Sequence, residues 1–435
     1  MTYLRVIGGV PLSGTVQADG SKNSILPIMA ACLLADSEES VIEGAPALTD
    51  IDSQLAILTG LGAKADRDPH GRLHISASNI KTTTVPFELA KKLRASYYMA
   101  GALLARVGHF KVALPGGCNI GERPVDQHIK GFEALGATVK IEGGYLIGHT
   151  RSRLKGNEIY LDIQSHGATI NIILAATLAT GQTIIENASK EPEIVDLCSF
   201  LIKMGADIRG AGTNVIRIQG VDKLTGQSHR IIPDRMEAGT YMIAAAMTRG
   251  SVYVERSIHY HLSPLCAKLR EMGVTVIDDT SGIYVNAERP LKPTVLKTLP
   301  FPGFPTDLQA QMTSLLAITQ GTSMITETVF SNRFQHVPEL IRMGASMKVE
   351  GQTLMIDGVR KLSGAHVKAT DLRSAAALAL GGLAAEGETI IDGLDHLDRG
   401  YSCFEAKLQN LGASVHRFGN GAKLHLVSSH DAIGG

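Results

Sequence analysis

The sequence predicts an α/β protein in which one structural unit occurs six times along the chain. The first observation is a recurring helix end, in which Leu or Met is followed by Gly after an amphipathic run and before alternating strand residues. The six glycines lie 74, 69, 68, 71 and 68 residues apart, at Gly62, Gly136, Gly205, Gly273, Gly344 and Gly412. Glycine often ends a helix because it adopts the left-handed conformation without steric cost. We therefore expect six helices that each turn into a strand.

A second recurring feature lies inside the unit. A helix rich in small residues runs into a glycine and a strand at Gly181–Ile185, Gly250–Val254, Gly321–Ile325 and Gly387–Ile391, whereas the first copy lacks this glycine. Together the two features predict the order strand, helix, strand, helix, strand, strand. A unit of this length is too long for a solenoid turn and predicts two domains of three copies each, with a cleft between them. The turn-rich segment Gly220–His229 marks the predicted boundary.

Composition excludes several classes of protein. Of the 435 residues, 44% are hydrophobic, and 42 basic side chains balance 42 acidic ones. This balance disfavours nucleic acid and anionic membranes as partners. The five cysteines show no CxxC or Cys/His spacing, so we expect reduced thiols, no metal and a cytoplasmic location. The longest apolar stretches, Ile25–Ala35 and Ala375–Ala385, are too short to insert in a membrane.

One cysteine differs from the others in its surroundings. Cys118 lies in a segment with three glycines, Pro115 and Arg123, which predicts an accessible thiol in an adaptable loop. The alternative is a free cysteine packed as a small hydrophobe. That interpretation suits the other four, which lie in apolar segments that we expect to be helical: Cys32, Cys198, Cys266 and Cys403.

Charged residues recur at two equivalent places in the unit, the start of the first helix and the loop before the second. The cations at these places are Lys22, Arg94, Arg235, Arg333, Arg373 and Arg399. Basic residues at helix N-termini oppose the helix dipole unless an anion lies among them, so the pattern predicts a pocket for a strongly anionic small molecule. Singly, each arginine could instead pair with a nearby acid, and Asp307 could be an ordinary N-terminal helix charge. We expect His259 and His261 to alternate along a strand and not to bind metal.

Segment 114–128, which reads LPGGCNIGERPVDQH, closely resembles the UDP-N-acetylglucosamine enolpyruvyl transferases, a group of the enolpyruvyl transferase family. The similarity extends over the chain, for example at Gly20–Asn23, Glu191–Asp196, Phe304–Gln311 and Asp398–Tyr401. It implies an inside-out α/β barrel, or inverse α/β prism, of six βαβαββ units, three per domain. It also implies one domain of residues 22–229 and a second of residues 1–21 and 230–435.

The resemblance further implies a reaction and its residues. The enolpyruvyl group of phosphoenolpyruvate would pass to the 3′-hydroxyl of UDP-N-acetylglucosamine with release of phosphate, as the committed step toward peptidoglycan, without cofactor or obligate protein partner. Lys22, Arg123 and Arg399 would hold phosphoenolpyruvate, with Asn23 and Arg94 beside the reacting groups. The nucleotide-sugar site would be lined by Arg123, Pro124, Val125, Asp126, Gln127, Ser165, His166, Gly167, Asp307 and Val329.

Two residues suit the proton transfers of this reaction. A thiol is mostly protonated at neutral pH, so Cys118 could donate to the methylene carbon, and ionised Asp307 could accept the hydroxyl proton. Arg123 would favour the thiolate of Cys118 and thereby covalent attack, so acid and adduct roles both stay open. The family pattern often carries lysine at the place of Ile163 and valine at the place of His166, which leaves uridine contacts there open.

Two rival functions remain. The related 5-enolpyruvylshikimate-3-phosphate synthases share the fold but use no loop cysteine of this kind, so Cys118 disfavours that activity. A protein that binds a nucleotide sugar without turnover is the other rival, and the joint presence of Lys22, Cys118, Asp307 and Arg399 disfavours it.

Overall fold

Helices and strands alternate along the chain, which a computed structural model describes for residues 2–114 and 125–419. The α-helices of these residues are α1 Lys22–Ala31, α2 Thr49–Leu61, α3 Phe87–Lys92, α4 Tyr98–Val107, α5 Asp126–Ala134, α6 His166–Ala176, α7 Pro192–Lys203, α8 Arg235–Met247, α9 His259–Glu271, α10 Gln309–Ala317, α11 Val337–Arg342, α12 Leu372–Ala384 and α13 Phe404–Asn410. Short 3₁₀ turns are found at Cys32–Leu34, Arg94–Tyr97, Thr306–Leu308 and Leu397–Arg399.

The strands are short, mostly of three to six residues. They are β1 Tyr3–Ile7, β2 Ser13–Gln17, β3 Ser40–Glu43, β4 Lys64–Arg67, β5 Leu73–Ser76, β6 His109–Ala113, β7 Thr138–Glu142, β8 Tyr145–His149, β9 Glu158–Tyr160, β10 Gln182–Glu186, β11 Asp207–Arg209, β12 Val215–Gln219, β13 Ser228–Arg230, β14 Ser251–Glu255, β15 Thr275–Asp278, β16 Gly282–Asn286, β17 Val295–Lys297, β18 Gly321–Thr326, β19 Ser346–Glu350, β20 Thr353–Gly358, β21 Leu362–Ser363, β22 His366–Lys368, β23 Ala385–Glu386, β24 Glu388–Asp392 and β25 Ser414–Phe418.

The predicted βαβαββ unit is confirmed, and the fifth copy shows it without interruption. Its sheet has the order β17-β18-β20-β19, in which β17 runs parallel to β18 and the final pair is antiparallel. Helix α10 connects the parallel strands, and α11 precedes the hairpin. Five sheets have four strands in this arrangement, and in the second copy the first strand is reduced to one bridge between Thr84 and Lys111.

Three strands complete units that are distant in the sequence. The first strand of the first copy is β13, parallel to β3, and the first strand of the fourth copy is β2, parallel to β14. The last strand of the sixth copy is β1, which lies between β24 and β25. The chain therefore leaves one set of three copies for the other through two adjacent crossover segments, residues 18–21 and 231–234, joined by the bridge between Gly20 and Pro233.

The buried apolar residues form two clusters. One contains residues between 25 and 231, and the other contains residues 4–18 together with residues between 236 and 415. Three helices that are buried along most of their length lie in each cluster, α1, α4 and α6 in one and α8, α10 and α12 in the other. On the basis of these clusters we propose that residues 22–229 form a first domain and that residues 1–21 and 230–435 form a second.

The helix ends follow the prediction. All six recurring glycines have positive φ angles, between 93° and 114°, as the left-handed end of a helix requires.

None of the helices in residues 2–114 and 125–419 combines the length and the apolar character that crossing a bilayer needs.

Two local predictions were wrong. His259 and His261 begin helix α9, because Leu262, Leu265 and Leu269 turn one face of this segment into the core at helical spacing. Cys403 is not in a buried helix but precedes α13 with φ of 51° and is partly exposed. Cys32, Cys198 and Cys266 are buried, as expected.

Candidate active site

Two of the predicted cations, Lys22 and Arg399, meet at one carboxylate. Lys22 is the first residue of α1, Arg399 ends the 3₁₀ turn before α13, and Asp50 lies in the first turn of α2. The Nζ atom of Lys22 is 2.6 Å from Oδ2 of Asp50, and Nε of Arg399 is 2.9 Å from Oδ1. The side chain of Asp50 is only 5% exposed, whereas that of Arg399 is 37% exposed. The cluster thus brings one acid and two bases to the junction of the two domains.

Burial and charge act on this cluster in opposite directions. Burial lowers the pKa of the Lys22 ammonium, Asp50 opposes this effect, and the guanidinium groups of Arg399 and Arg373 add to it. Burial alone would raise the pKa of Asp50, but Lys22 and Arg399 hold it below its usual value. Asp50 is therefore ionised at neutral pH and favours the charged form of Lys22.

The backbone of Lys22 is held by the crossover segments. Its N–H donates to Oδ2 of Asp234 at 3.0 Å, and the N–H of Ser21 donates to the carbonyl of Ile232 at 2.8 Å. Asp234 is also the N-cap of α8, where Oδ1 accepts from the N–H groups of Met236 and Glu237. One buried carboxylate thus joins the start of α1 to the start of α8, which fixes Lys22 relative to both domains.

Asp307, the predicted base, lies between two guanidinium groups. Nη2 of Arg333 is 2.6 Å from Oδ1 of Asp307, and Nη2 of Arg373 is 2.7 Å from Oδ2. Both arginines are at least nine-tenths buried, and Asp307 is 27% exposed. Asp307 lies in the first turn of the 3₁₀ helix Thr306–Leu308, as expected of an N-terminal helix charge, and it also pairs with the two arginines. Among the contacts of the described residues, two bases meet one acid here, as they do at Asp50.

A second ion pair between the domains, that of Arg235 and Glu193, is balanced. Arg235, at the start of α8, contacts Glu193 of α7 through Nε at 2.9 Å and through Nη2 at 3.2 Å. Both side chains are buried, and the guanidinium lies 5.4 Å from the ring of Phe301. Arg235 does pair with an acid, but it is buried and its partner belongs to the other domain, so the interpretation as an arginine paired with a nearby acid is wrong for Arg235.

Glu193 and Asp50 occupy equivalent positions in the repeated unit. Glu193 precedes Gly205 by 12 residues, and Asp50 precedes Gly62 by 12 residues. Each lies in the first turn of the second helix of its copy and pairs with an arginine of the second domain. In two copies of the unit, therefore, an acid at this position pairs with an arginine of the other domain.

The residues predicted to line the nucleotide-sugar site are partly brought together. Val125 precedes α5 as its N-cap, Asp126 is exposed and Gln127 is buried. The Gln127 side chain donates to Asp126 at 2.8 Å and to Asp162 at 3.0 Å, and its oxygen accepts from the N–H of Asp162 at 2.9 Å. Gln127 thereby joins α5 to the segment that leads into α6.

Helix α6 begins beside this segment. Ser165 is its N-cap, and the hydroxyl accepts from the N–H of Ala168. A Cβ atom at Gly167 would lie 3.2 Å from the ring of His128, so glycine allows α5 and α6 to approach closely. Nδ1 of His166 is 3.6 Å from Oε2 of Glu191.

His166 and Glu191 influence each other's protonation. Burial opposes protonation of His166, but the nearby Glu191 carboxylate outweighs it and raises the pKa of the imidazole. Burial likewise opposes ionisation of Glu191, but contacts with His166 and Ser189 lower its pKa to about 2. The start of α6 thus gains positive charge as His166 is protonated.

Val329 is positioned by a buried carboxylate that sequence reasoning did not single out. Glu327 accepts from the N–H of Val329 at 2.8 Å and from the hydroxyls of Thr298 and Thr306, also at 2.8 Å. Because Thr306 precedes Asp307, Glu327 joins two predicted site segments.

The remaining predicted residues are less closely placed. Asn23 follows Lys22 in α1 and is partly exposed. Arg94 begins a 3₁₀ turn before α4 and, together with burial, lowers the pKa of His128 to about 4. Cys118, Arg123 and Pro124 lie outside the described residues. Within the described parts of the chain, no group of His, Cys, Asp or Glu is arranged to hold a metal ion.

Comparisons with known proteins show the family of the chain. Residues 6–408 match the EPSP synthase (3-phosphoshikimate 1-carboxyvinyltransferase) family. A protein named UDP-N-acetylglucosamine 1-carboxyvinyltransferase 1 from Halalkalibacterium halodurans is 51% identical over 417 residues, which cover 96% of the chain and 94% of the relative. A protein of the same name from Caldanaerobacter subterraneus subsp. tengcongensis is 52% identical over 407 residues, covering 94% of the chain and 97% of the relative.

Solved structures show the same fold. The enolpyruvyl transferase NikO from Streptomyces tendae superposes with a TM-score of 0.86 at 26% identity, covering 96% of the chain and 98% of that protein. An EPSP synthase from Acinetobacter baumannii gives a TM-score of 0.74 at 18% identity, covering 96% of the chain and all of that protein. The predicted fold class is therefore confirmed.

Proposed function

The chain belongs to the UDP-N-acetylglucosamine 1-carboxyvinyltransferases of the enolpyruvyl transferase family, and from this membership we propose its reaction. It transfers the enolpyruvyl group of phosphoenolpyruvate to the 3′-hydroxyl of UDP-N-acetylglucosamine, releases phosphate and serves peptidoglycan synthesis. The observation that carries the proposal is the identity above 50% to two such enzymes over nearly the whole chain. Two clusters with surplus positive charge support it, because both substrates are polyanions.

We assign the binding of phosphoenolpyruvate to Lys22 and Arg399, together with Arg123. The Asp50 cluster supports this assignment, since its two cations share one carboxylate and retain one positive charge for a ligand. These cations would stabilise the charge that develops on the phosphate as it leaves. Asn23 and Arg94 lie at the starts of neighbouring first-domain helices and would contact the reacting groups.

We assign the proton transfers to Cys118 and Asp307. In the addition step the sugar oxygen bonds to C2 of phosphoenolpyruvate, the thiol of Cys118 gives its proton to C3, and Asp307 takes the hydroxyl proton. In the elimination step the thiolate of Cys118 removes a proton from C3, the C–O bond to phosphate breaks, and the phosphate takes the proton held by Asp307. Each oxygen of Asp307 contacts one guanidinium, that of Arg333 or that of Arg373, and we expect the hydroxyl proton to transfer to Asp307 as the C–O bond forms.

The nucleotide sugar would lie along the starts of α5 and α6. Arg123, Pro124, Val125, Asp126 and Gln127 would contact it from α5 and the segment before it. The N-terminus of α6, with Ser165, His166 and Gly167, suits an anionic diphosphate because its N–H groups and dipole attract negative charge. Val329, on the loop held by Glu327, would contact the sugar beside Asp307.

We propose that the protein acts in the cytoplasm and needs neither a cofactor nor a protein partner. The test therefore mixes the purified protein with the two substrates and nothing else that could take part in the reaction. We expect release of phosphate and a nucleotide-sugar product heavier by the enolpyruvyl group. Shikimate 3-phosphate in place of the nucleotide sugar should give no product, and product from it would favour the rival activity. Nucleotide-sugar binding without phosphate release would favour the non-catalytic rival.

Variants test the residue roles. Cys118→Ala and Asp307→Ala should each lower kcat by at least about 100-fold, in the range expected for loss of a proton-transfer group. Cys403→Ala is the matched control for the thiol, because Cys403 is a partly exposed cysteine outside the proposed site. Full turnover in the Cys118 or Asp307 variant would remove that residue's assigned role.

A further inference from the structure

We propose that Asp50 is a positioning residue for phosphoenolpyruvate, which keeps Lys22 charged and holds Arg399 of the second domain beside it. The inference rests on the proposed function of the same site. It adds an acidic residue to a site that the sequence predicted from its basic residues alone.

The shortest contacts of the two Asp50 oxygens are with different cations. Oδ2 contacts Nζ of Lys22 at 2.6 Å, and Oδ1 contacts Nε of Arg399 at 2.9 Å. Nη2 of Arg399 lies 3.4 Å from Oδ2, so the guanidinium also reaches the oxygen that holds Lys22. Lys22 and Arg399 belong to different domains and are far apart in the sequence. Their shared contact with the Asp50 carboxylate therefore sets the distance between the two cations.

Glu193, the equivalent residue of the third copy, shows the contacts that we would expect of Asp50 if its role were only structural. Glu193 uses both oxygens for a single guanidinium, that of Arg235, and this pair is buried and electrically balanced. Asp50 instead serves two cations, and Arg399 keeps more than a third of its side chain exposed. The Asp50 cluster can therefore accept an anion and still keep its internal contacts.

The charges around Lys22 make its protonation depend on Asp50. The groups that face its ammonium are Asp50 of α2, Arg399 of the turn before α13, and Arg373 of α12, and Asp234 holds its backbone N–H. Burial, Arg399 and Arg373 all favour the neutral amine, and Asp50 opposes them. Removal of the Asp50 charge should therefore cause Lys22 to lose its proton at a lower pH.

The test is the pH profile of kcat/KM for phosphoenolpyruvate between about pH 6 and pH 10, measured for wild type, Asp50→Asn and Asp52→Asn. Asp52 is the matched control, because it lies on the same helix with its side chain 69% exposed. We expect Asp50→Asn to lower kcat/KM about 10- to 100-fold, as for loss of a charge-assisted hydrogen bond. Its alkaline limb should move to lower pH, while KM for the nucleotide sugar changes little. Asp52→Asn should match wild type.

Asp50→Glu separates positioning from folding. It keeps the charge but lengthens the side chain, so kcat/KM should fall while the alkaline limb stays where it is in wild type; this variant also carries the test if Asp50→Asn does not fold. A folded Asp50→Asn protein whose limb coincides with that of Asp52→Asn would overturn the inference, as would a shifted limb in Asp50→Glu. Absence of turnover in wild type would instead refute the proposed function.

Discussion

The Asp50 and Glu193 clusters occupy equivalent places in two copies of one unit, yet they differ in charge balance. Glu193 and Arg235 form a closed pair, whereas Asp50 is shared by Lys22 and Arg399 and leaves one positive charge unmatched. A buried balanced pair can hold two domains together but offers nothing to a charged ligand. Ion pairs between the domains occur in both places, so we propose that surplus positive charge, and not ion pairing itself, distinguishes the substrate site.

The largest expected effect is a loss of activity on changing the Asp50 cluster, which we do not expect for the Glu193 cluster. Lys22→Met should lower kcat/KM for phosphoenolpyruvate by about 100- to 1000-fold, since it removes a cation that we propose stabilises the leaving phosphate. The free energy of unfolding should change little, because Asp50 keeps Arg399 as its partner. Steady-state kinetics with urea unfolding would measure both, and Lys348→Met, at a side chain that is 73% exposed, is the control. A large loss of stability with intact activity would reverse the contrast.

The Glu193 cluster should respond through stability. Glu193→Gln leaves the buried Arg235 guanidinium without a charged partner, so we expect it to lower the free energy of unfolding by about 3 to 5 kcal/mol. The double variant Glu193→Leu/Arg235→Met should recover much of this loss, because it leaves no buried charge unpaired. Urea unfolding of the three proteins would measure the difference. A double variant no more stable than Glu193→Gln would show that the pair matters for another reason.

A smaller effect comes from replacing arginine by lysine in both clusters. Arg399→Lys keeps the positive charge but loses the second contact with Asp50, and we expect KM for phosphoenolpyruvate to rise about 10-fold. Arg235→Lys should instead reduce stability by about 1 to 3 kcal/mol, since one of two buried hydrogen bonds to a charged group is lost. Kinetics and unfolding measured for both variants would test the pairing, and equal effects of the two on KM would contradict it.

The smallest effect concerns His166, which adds positive charge to the proposed nucleotide-sugar site only when it is protonated. Its pKa is raised in the folded protein by Glu191 despite burial, so this charge is present at low pH and is lost as the pH rises through the raised pKa, above the ordinary value of 6.5. KM for UDP-N-acetylglucosamine should rise about two- to fivefold across that range. His166→Val should show the high-pH KM throughout, and an unchanged pH dependence in that variant would exclude His166 as the cause.

Much of the fold could be predicted because its signals are local. The six glycines indicate helix ends, because they adopt a left-handed conformation that other residues rarely adopt, and their spacing indicates the length of the repeated unit. The strands β1, β2 and β13 could not be assigned from periodicity, because each pairs with residues far along the chain. Their places depend on which sheet lacks a strand.

The sequence predicted the cations of the candidate site and the acid Asp307, but not the acids Asp50 and Glu327. Basic residues at helix starts are unusual, so Lys22, Arg373 and Arg399 stood out. Asp50 did not, because an acid in the first turn of a helix is ordinary. Its position 12 residues before the capping glycine, shared with Glu193, was the signal that could have found it. Glu327 was hidden likewise, since burial rather than its sequence context distinguishes it.

The most direct test of the charge-surplus account is a crystal structure of the Cys118→Ala variant with phosphoenolpyruvate and UDP-N-acetylglucosamine bound. We predict an anionic group of phosphoenolpyruvate within about 3 Å of both Nζ of Lys22 and the guanidinium of Arg399, with Asp50 still touching both side chains. The Glu193–Arg235 pair should be unchanged. Phosphoenolpyruvate bound away from Lys22 and Arg399, or bound by an Arg235 that has left Glu193, would contradict the account.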